Sequence, residues 1–195
     1  MLNAPRILGR LLVATLFCLG FWQLGHGAYI PAKAWLAQEL MQRAWTRTGL
    51  GEDRATPWPW ADTWPVARLI VPSQHIDQIV LEGAYGRTLA FGPGHVESAQ
   101  PIGSSDTIIL TGHRDTHFSF LKDLQAGDRL LLQSADGTHQ RYRVRDRRIA
   151  HVARDAIPLL NEGHPLALVT CYPFDSLMPG TAWRYVVIAE SEGNQ

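Results

Sequence analysis

Between Arg10 and Lys33 the chain carries no Asp, Glu, Lys or Arg, and the run Leu11–Ala32 is mostly apolar, with Leu11, Leu12, Val13, Leu16, Phe17, Leu19, Phe21 and Trp22. A helix rising about 1.5 Å per residue over that run reaches about 30 Å, the thickness of a bilayer's hydrocarbon layer. Beyond it Ala37, Leu40, Met41, Ala44 and Trp45 recur at helical spacing, with Gln38, Glu39, Gln42 and Arg43 between them. That pattern predicts a short amphipathic helix ending near Gly49 and Gly51. Gly51 to Pro65 sets Pro57, Pro59 and Pro65 among Trp58, Trp60 and Trp64, which excludes regular helix or central strand and reads as a linker. Its tryptophans suit either a membrane interface or the surface of a domain.

From Trp64 onward the texture changes to short β-rich runs: Val66–Val71, Gln78–Leu81, Thr107–Thr111, Arg129–Gln133, His139–Val144, Leu166–Thr170 and Trp183–Ala189. Asp136-Gly137 between two of them is the strongest hairpin signal, and Phe118–Leu124 is the one helical turn expected. Seven or eight strands over this span predict an all-β fold, a closed or nearly closed barrel or a sandwich. The organisation expected is a cytoplasmic N-terminus at 1–10, a transmembrane signal-anchor at 11–32, amphipathic helix and linker at 33–63, and the β domain at 64–195.

Charge orients the anchor. Arg6 and Arg10 precede the apolar run, so the rest of the chain is expected on the extracytoplasmic side. A cleaved signal peptide is the alternative, but His26 and Tyr29 suit a cleavage site poorly. The 18 basic and 18 acidic residues balance, and no basic block is present, which argues against nucleic acid as a partner. Arg141, Arg143, Arg145, Arg147 and Arg148 alternate with Tyr142 and Val144 as the wet face of a strand does.

Of the two cysteines, Cys18 falls inside the proposed span, leaving Cys171 without a disulfide partner in the domain. Cys171 lies where the apolar run Leu166–Thr170 gives out, and His113 follows the similar run Thr107–Leu110. Strand ends hold a side chain firmly while leaving it reachable. A thiol beside a basic group becomes a nucleophile, and an imidazole there can give and take a proton. Arg184 opens the last apolar strand on the face of Val186 and Ile188, a costly place for a charge without a use, and an oxyanion would supply one. Each residue alone has a plain structural reading, as a small core residue, a turn residue and a solvated charge; three such groups at strand ends are more informative together.

These residues resemble the sortases, exported cysteine transpeptidases: His113 within Thr111-Gly112-His113-Arg114, Cys171 within Leu168-Val169-Thr170-Cys171, and Arg184 within Trp183-Arg184-Tyr185. Phe91-Gly92-Pro93-Gly94-His95 and Gly112–Phe118 further resemble the sortases of Gram-negative proteobacteria. The likeness runs from about Trp64 to Ala189. It departs at Ala167-Leu168-Val169, where the family commonly begins its cysteine motif with Thr-Leu.

The resemblance implies a sortase-like barrel and a two-step reaction. Cys171 attacks a peptide bond in a C-terminal sorting motif of an exported protein, His113 protonates the departing amine, Arg184 holds the oxyanion, and an amine acceptor resolves the thioester. It implies substrate-binding roles for Thr170, Arg114 and His95, and a substrate influence for the loop from Asp155 to Pro165. It also implies residence in the inner membrane with a periplasmic catalytic domain. No cofactor is expected; some family members bind calcium, but no acidic cluster stands out here. Other readings remain: an L,D-transpeptidase-like acyltransferase, a thiol hydrolase, a non-catalytic tethered β-domain, or a metal shared by His113 and His117.

Overall fold

The computed structural model describes residues 4–96, 102, 107–155, 165–176, 178 and 180–193. The chain divides into two compact units, Met1–Glu39 and Leu40–Gln195. The first consists of helix, with Leu11, Leu12, Leu16, Phe17, Phe21 and Trp22 exposed. Helix α1, Ala4–Gly49, is one element where the pattern predicted two. Pro31 lies inside it without ending it. A proline removes one intrahelical hydrogen bond, and here good helix formers flank it at Ala28, Ala32 and Ala34.

In the second unit the last turns of α1 follow their amphipathic pattern. Met41, Ala44 and Trp45 are buried and Leu40 partly so, while Gln42 and Arg43 stay exposed. The Pro/Trp-rich segment packs on the domain. Ala55 and Thr63 are buried, the Thr63 hydroxyl donates to the Glu82 carbonyl at 2.6 Å, and Trp58 meets Phe91 edge-on with ring centroids 5.0 Å apart. Trp60 remains 83% exposed.

Eight strands form a closed barrel: β1 (Pro65–Val71), β2 (Ile76–Glu82), β3 (Gly94–His95), β4 (Ile108–Thr111), β5 (Arg129–Ser134), β6 (His139–His151), β7 (Leu166–Tyr172) and β8 (Trp183–Ser191). Around the barrel they run β1-β2-β3-β4-β7-β8-β6-β5, and β5 closes on β1. The pairs β2–β3 and β4–β7 are parallel and the rest antiparallel. The expected hairpin joins β5 to β6, with Gly137 at φ +85°, a conformation glycine adopts at no steric cost. Asp136 accepts from the Thr138 amide at 2.9 Å and its hydroxyl at 2.7 Å, which holds the carboxyl below its usual range.

Alternate residues fill the interior: Ala67, Leu69 and Val71 on β1, Leu130 and Leu132 on β5, Leu166 and Leu168 on β7, Val187 and Ala189 on β8. Phe118, Phe120, Leu121 and Leu124, around a 3-10 turn at Ser119–Lys122, pack against this core. The Tyr142 phenol is pushed up to about 12 by burial.

A second buried cluster lies on the outer face: Ala150, Ala167, Val169, Val186 and Ile188, with Ile109 against it. Strands β4, β7 and β8 are therefore covered on both faces along part of their length, which is why they read as unbroken apolar runs.

Two features were not legible. β3 is two residues long, too short for any periodicity. β6 continues beyond Val144, where the expected run ended, to His151, so that Arg145, Arg147 and Arg148 do lie in a strand, as their wet-face reading had it. It stays in the sheet by pairing with β8 across a bulge between Val144 and Asp146, helped by ion pairs of Arg145 with Glu190 and Arg148 with Asp146.

Candidate active site

Cys171 lies near the end of β7 and Arg184 at the start of β8, and the antiparallel register makes them direct Cα partners. Strand alternation sends Leu168 and Thr170 inward and Val169 and Cys171 outward; Arg184 shares the outer face with Val186 and Ile188. Both side chains are half-buried. The Arg184 guanidinium donates through Nη1 to the carbonyls of Thr181 at 2.6 Å and Trp183 at 3.0 Å. Its Nε and Nη2 have no hydrogen-bond partner among the described residues.

His113 comes from the opposite neighbour of β7. Thr111 pairs with Val169 in the parallel register, and the Gly112 amide still donates to the Val169 carbonyl at 3.3 Å. His113 follows two residues later, in the turn that leaves β4 at the same end of the sheet where β7 reaches Cys171. The buried Thr170 hydroxyl fastens the junction by donating to the Gly112 carbonyl at 2.7 Å. A Cβ on Gly112 would stand 2.8 Å from the Phe118 ring, so only glycine fits. The chain then turns, with the His113 carbonyl accepting from Thr116 at 3.4 Å and Phe118 at 2.9 Å. The His113 side chain is exposed.

His117 occupies the same turn. Burial lowers its pKa, a hydrogen bond to the Ala90 backbone acts the other way, and the charge of nearby His113 lowers it further. Gln78 on β2 donates to the His117 carbonyl at 3.1 Å. Among the described residues no three His, Cys, Asp or Glu side chains are grouped to hold a metal ion.

The remaining residues singled out from sequence take separate places. Thr170 points inward and makes the junction just described. Arg114 donates through Nη2 to the carbonyls of Ser176 at 2.6 Å and Met178 at 2.8 Å, in the β7–β8 connection. His95 is 4% exposed on β3, with Nδ1 3.0 Å from a Glu82 carboxylate oxygen. Glu82 has no sequence signal, being an ordinary last residue of a strand. Residues 156–164 of the loop expected to influence substrate choice lie outside the described residues.

A groove of about 860 Å³ lies elsewhere: Arg129, Arg141, Arg143 and Glu192 are among the residues that line it, and none of its lining residues carries a thiol or an imidazole. Arg143 and Arg129 pair with Glu192 there, so the wet-face reading of the arginines suits it better than a reactive centre.

A likeness to known proteins follows the same residues. Sortase D of Bacillus subtilis (strain 168) is 30% identical over 119 residues, 61% of this chain and 60% of that protein; the chain thus matches well under two thirds of its relative's length. Among solved structures, sortase C-1 from Actinomyces oris is 28% identical with a TM-score of 0.58, covering 67% of this chain and 74% of that one. A Clostridium perfringens Sortase D5 transpeptidase shares the fold at TM-score 0.61 and 18% identity, covering 80% and 96%. The Sortase domain family matches residues 69–192, which span β1 to β8 and all three of Cys171, His113 and Arg184. The chain belongs to the sortase family, whose members are cysteine transpeptidases.

Proposed function

We propose that this protein is a membrane-anchored transpeptidase that cleaves a C-terminal sorting motif of an exported protein and transfers the product to an amine acceptor. The observation that carries the reading is the placing of Cys171 between Arg184, its Cα partner on β8, and the His113 turn that follows β4. The three side chains come from adjacent strands, so the nucleophile, the proton carrier and the oxyanion donor keep their spacing through the sheet's own hydrogen bonds.

In the first step the Cys171 thiolate attacks the scissile carbonyl and forms a C–S bond. The oxyanion of the tetrahedral intermediate takes the free Nε and Nη2 donors of Arg184. Collapse breaks the C–N bond, and His113 gives its proton to the departing amine. In the second step the acceptor amine attacks the thioester, His113 recovers a proton, and the thiolate leaves. Thiol, imidazole and guanidinium supply each role in this cycle, and it calls on no cofactor.

The apolar part of α1 is long and apolar enough to span a membrane. With Arg6 and Arg10 held on the cytoplasmic side, the barrel lies outside the cytoplasm, in the periplasm if the Gram-negative likeness holds. Such an anchor would keep the enzyme beside substrates emerging from the same membrane.

The test incubates the full-length chain in detergent micelles with a panel of sorting-motif peptides and an amine, followed by mass spectrometry of the peptide containing Cys171. A thioacyl adduct that disappears when amine is added, and is absent from Cys171→Ala, establishes the reaction and identifies the motif. Turnover that gives only the hydrolysed peptide would make the protein a thiol hydrolase. A Cys171 that no peptide modifies and that resists alkylation would sink the catalytic reading.

A further inference from the structure

The connection from β7 to β8 leads from Cys171 to Arg184, and several contacts give its described residues their shape. Part of that shape is local: the Ser176 amide donates to the Pro173 carbonyl at 3.4 Å, and the Met178 amide to the Ser176 hydroxyl at 3.2 Å. The Thr181 hydroxyl donates to the Tyr172 carbonyl, and Tyr172, Phe174 and Tyr185 pack ring against ring.

One contact comes from far away in sequence. Arg114 follows His113 directly, and its Nη2 reaches two carbonyls of this connection, Ser176 at 2.6 Å and Met178 at 2.8 Å. Nη1 is buried and has no partner among the described residues. A guanidinium that has two backbone carbonyls on one nitrogen and its other terminal nitrogen closed off from solvent is directed at the protein rather than at a substrate. Charged donors make the stronger hydrogen bonds, and the planar fork loses little freedom in making them.

We propose that Arg114 is a positioning residue: it latches the β7–β8 connection to the His113 turn and thereby sets the wall against which the sorting peptide lies. The latch joins the segment carrying the proton carrier to the segment linking nucleophile and oxyanion donor. Its significance for substrate rests on the transpeptidase reading; its existence does not.

The test uses the full-length chain in micelles, comparing wild type with Arg114→Ala, Arg114→Gln and Arg114→Lys. Hydrogen exchange at Phe174, Ser176 and Thr181 is expected to quicken about tenfold or more in the Ala and Gln variants, with Leu166 to Val169 unchanged. Lys is expected to recover part of the protection, since one ammonium can replace part of the fork. For the best peptide of the panel, KM should rise about tenfold while kcat stays within about threefold, the signature of lost binding rather than lost chemistry. Alkylation of Cys171 by iodoacetamide, which needs no wall, should change less than about twofold. Unchanged exchange in Arg114→Gln would overturn the latch, and a fall in kcat at constant KM would overturn the positioning role. Should wild type turn over no peptide, the transpeptidase reading fails and the exchange measurement alone decides the latch.

Discussion

Cys171 and Arg184 face one another as Cα partners across two antiparallel strands, so a single ladder of backbone hydrogen bonds fixes their separation. Arg184 already spends Nη1 on the carbonyls of Thr181 and Trp183, which leaves a preset pair of donors on the outer face. Losing an oxyanion donor lowers kcat by about 10² to 10³. Arg184→Ala is expected to show a loss of that order in peptide turnover, and Arg184→Lys to recover little of it, because an ammonium lacks the fork. Both variants should still be alkylated at Cys171. Activity within about threefold of wild type in Arg184→Ala would remove Arg184 from the chemistry.

The junction of β4 and β7 offers a structural prediction. Thr170→Val keeps the shape but leaves the Gly112 carbonyl without its buried donor, a loss of about 1 to 3 kcal/mol. Gly112→Ala places a methyl 2.8 Å from the Phe118 ring, and overpacking of this kind costs about 1 to 3 kcal/mol. Denaturant titration should show both losses. Because the same contacts hold the His113 turn, turnover measured well below the unfolding transition should fall as well.

His117 gives a pH prediction. Its folded pKa lies below the ordinary value of 6.5, chiefly because burial penalises the charged ring. Above that value both folded and unfolded chains hold it neutral and it has no effect on stability. As pH falls through 6.5 the unfolded chain takes up the proton first, so stability falls, and the loss is complete once pH passes the folded pKa. His117→Gln should flatten this part of the stability profile, and His113→Ala should raise the His117 pKa by removing a like charge. Denaturation midpoints between pH 8 and 5 (about the range over which histidines titrate), with NMR titration of the ring protons, would reveal the opposite trend if it exists.

The two compact units predict separability. Removing Met1–Glu39 should release the protein from membranes while leaving a cooperative thermal transition and Cys171 chemistry in the remainder. Fractionation of cells expressing each form measures the first, and calorimetry the second. Continued sedimentation of the truncated form with membranes would assign the attachment to another part of the chain.

Much of this molecule can be read from its residues. Strands buried on one face showed alternation, as in Arg141–Val144, and strands covered on both showed unbroken apolar runs, as in Leu166–Val169. Cys171 and Arg184, which the register makes partners, were suggested by their places at strand ends, as was His113 in the turn after β4. What sequence did not disclose depends on contacts between distant segments. His95 follows a glycine-rich turn and was expected to bind substrate, yet it is buried against Glu82. Arg114 looks available to a ligand, and only the fold brings Ser176 and Met178 to it. β6 was cut short at Val144 because four charged residues in succession, Arg145 to Arg148, obscure a strand that pairs with β8 through its backbone.

The parallel pairing of β4 with β7 also bears on how the proposed site is assembled during folding. Thr170 and Gly112 are 58 positions apart, and such non-local pairings form slowly because a long loop must close before they contribute. The pairing of β4, which leads into the His113 turn, with β7, which carries Cys171, is also one that shuts the barrel. In the proposed reaction the thiol therefore gains its proton carrier only as the barrel closes, so reactivity of Cys171 toward a sorting peptide is expected to appear with the folded sheet and not before it.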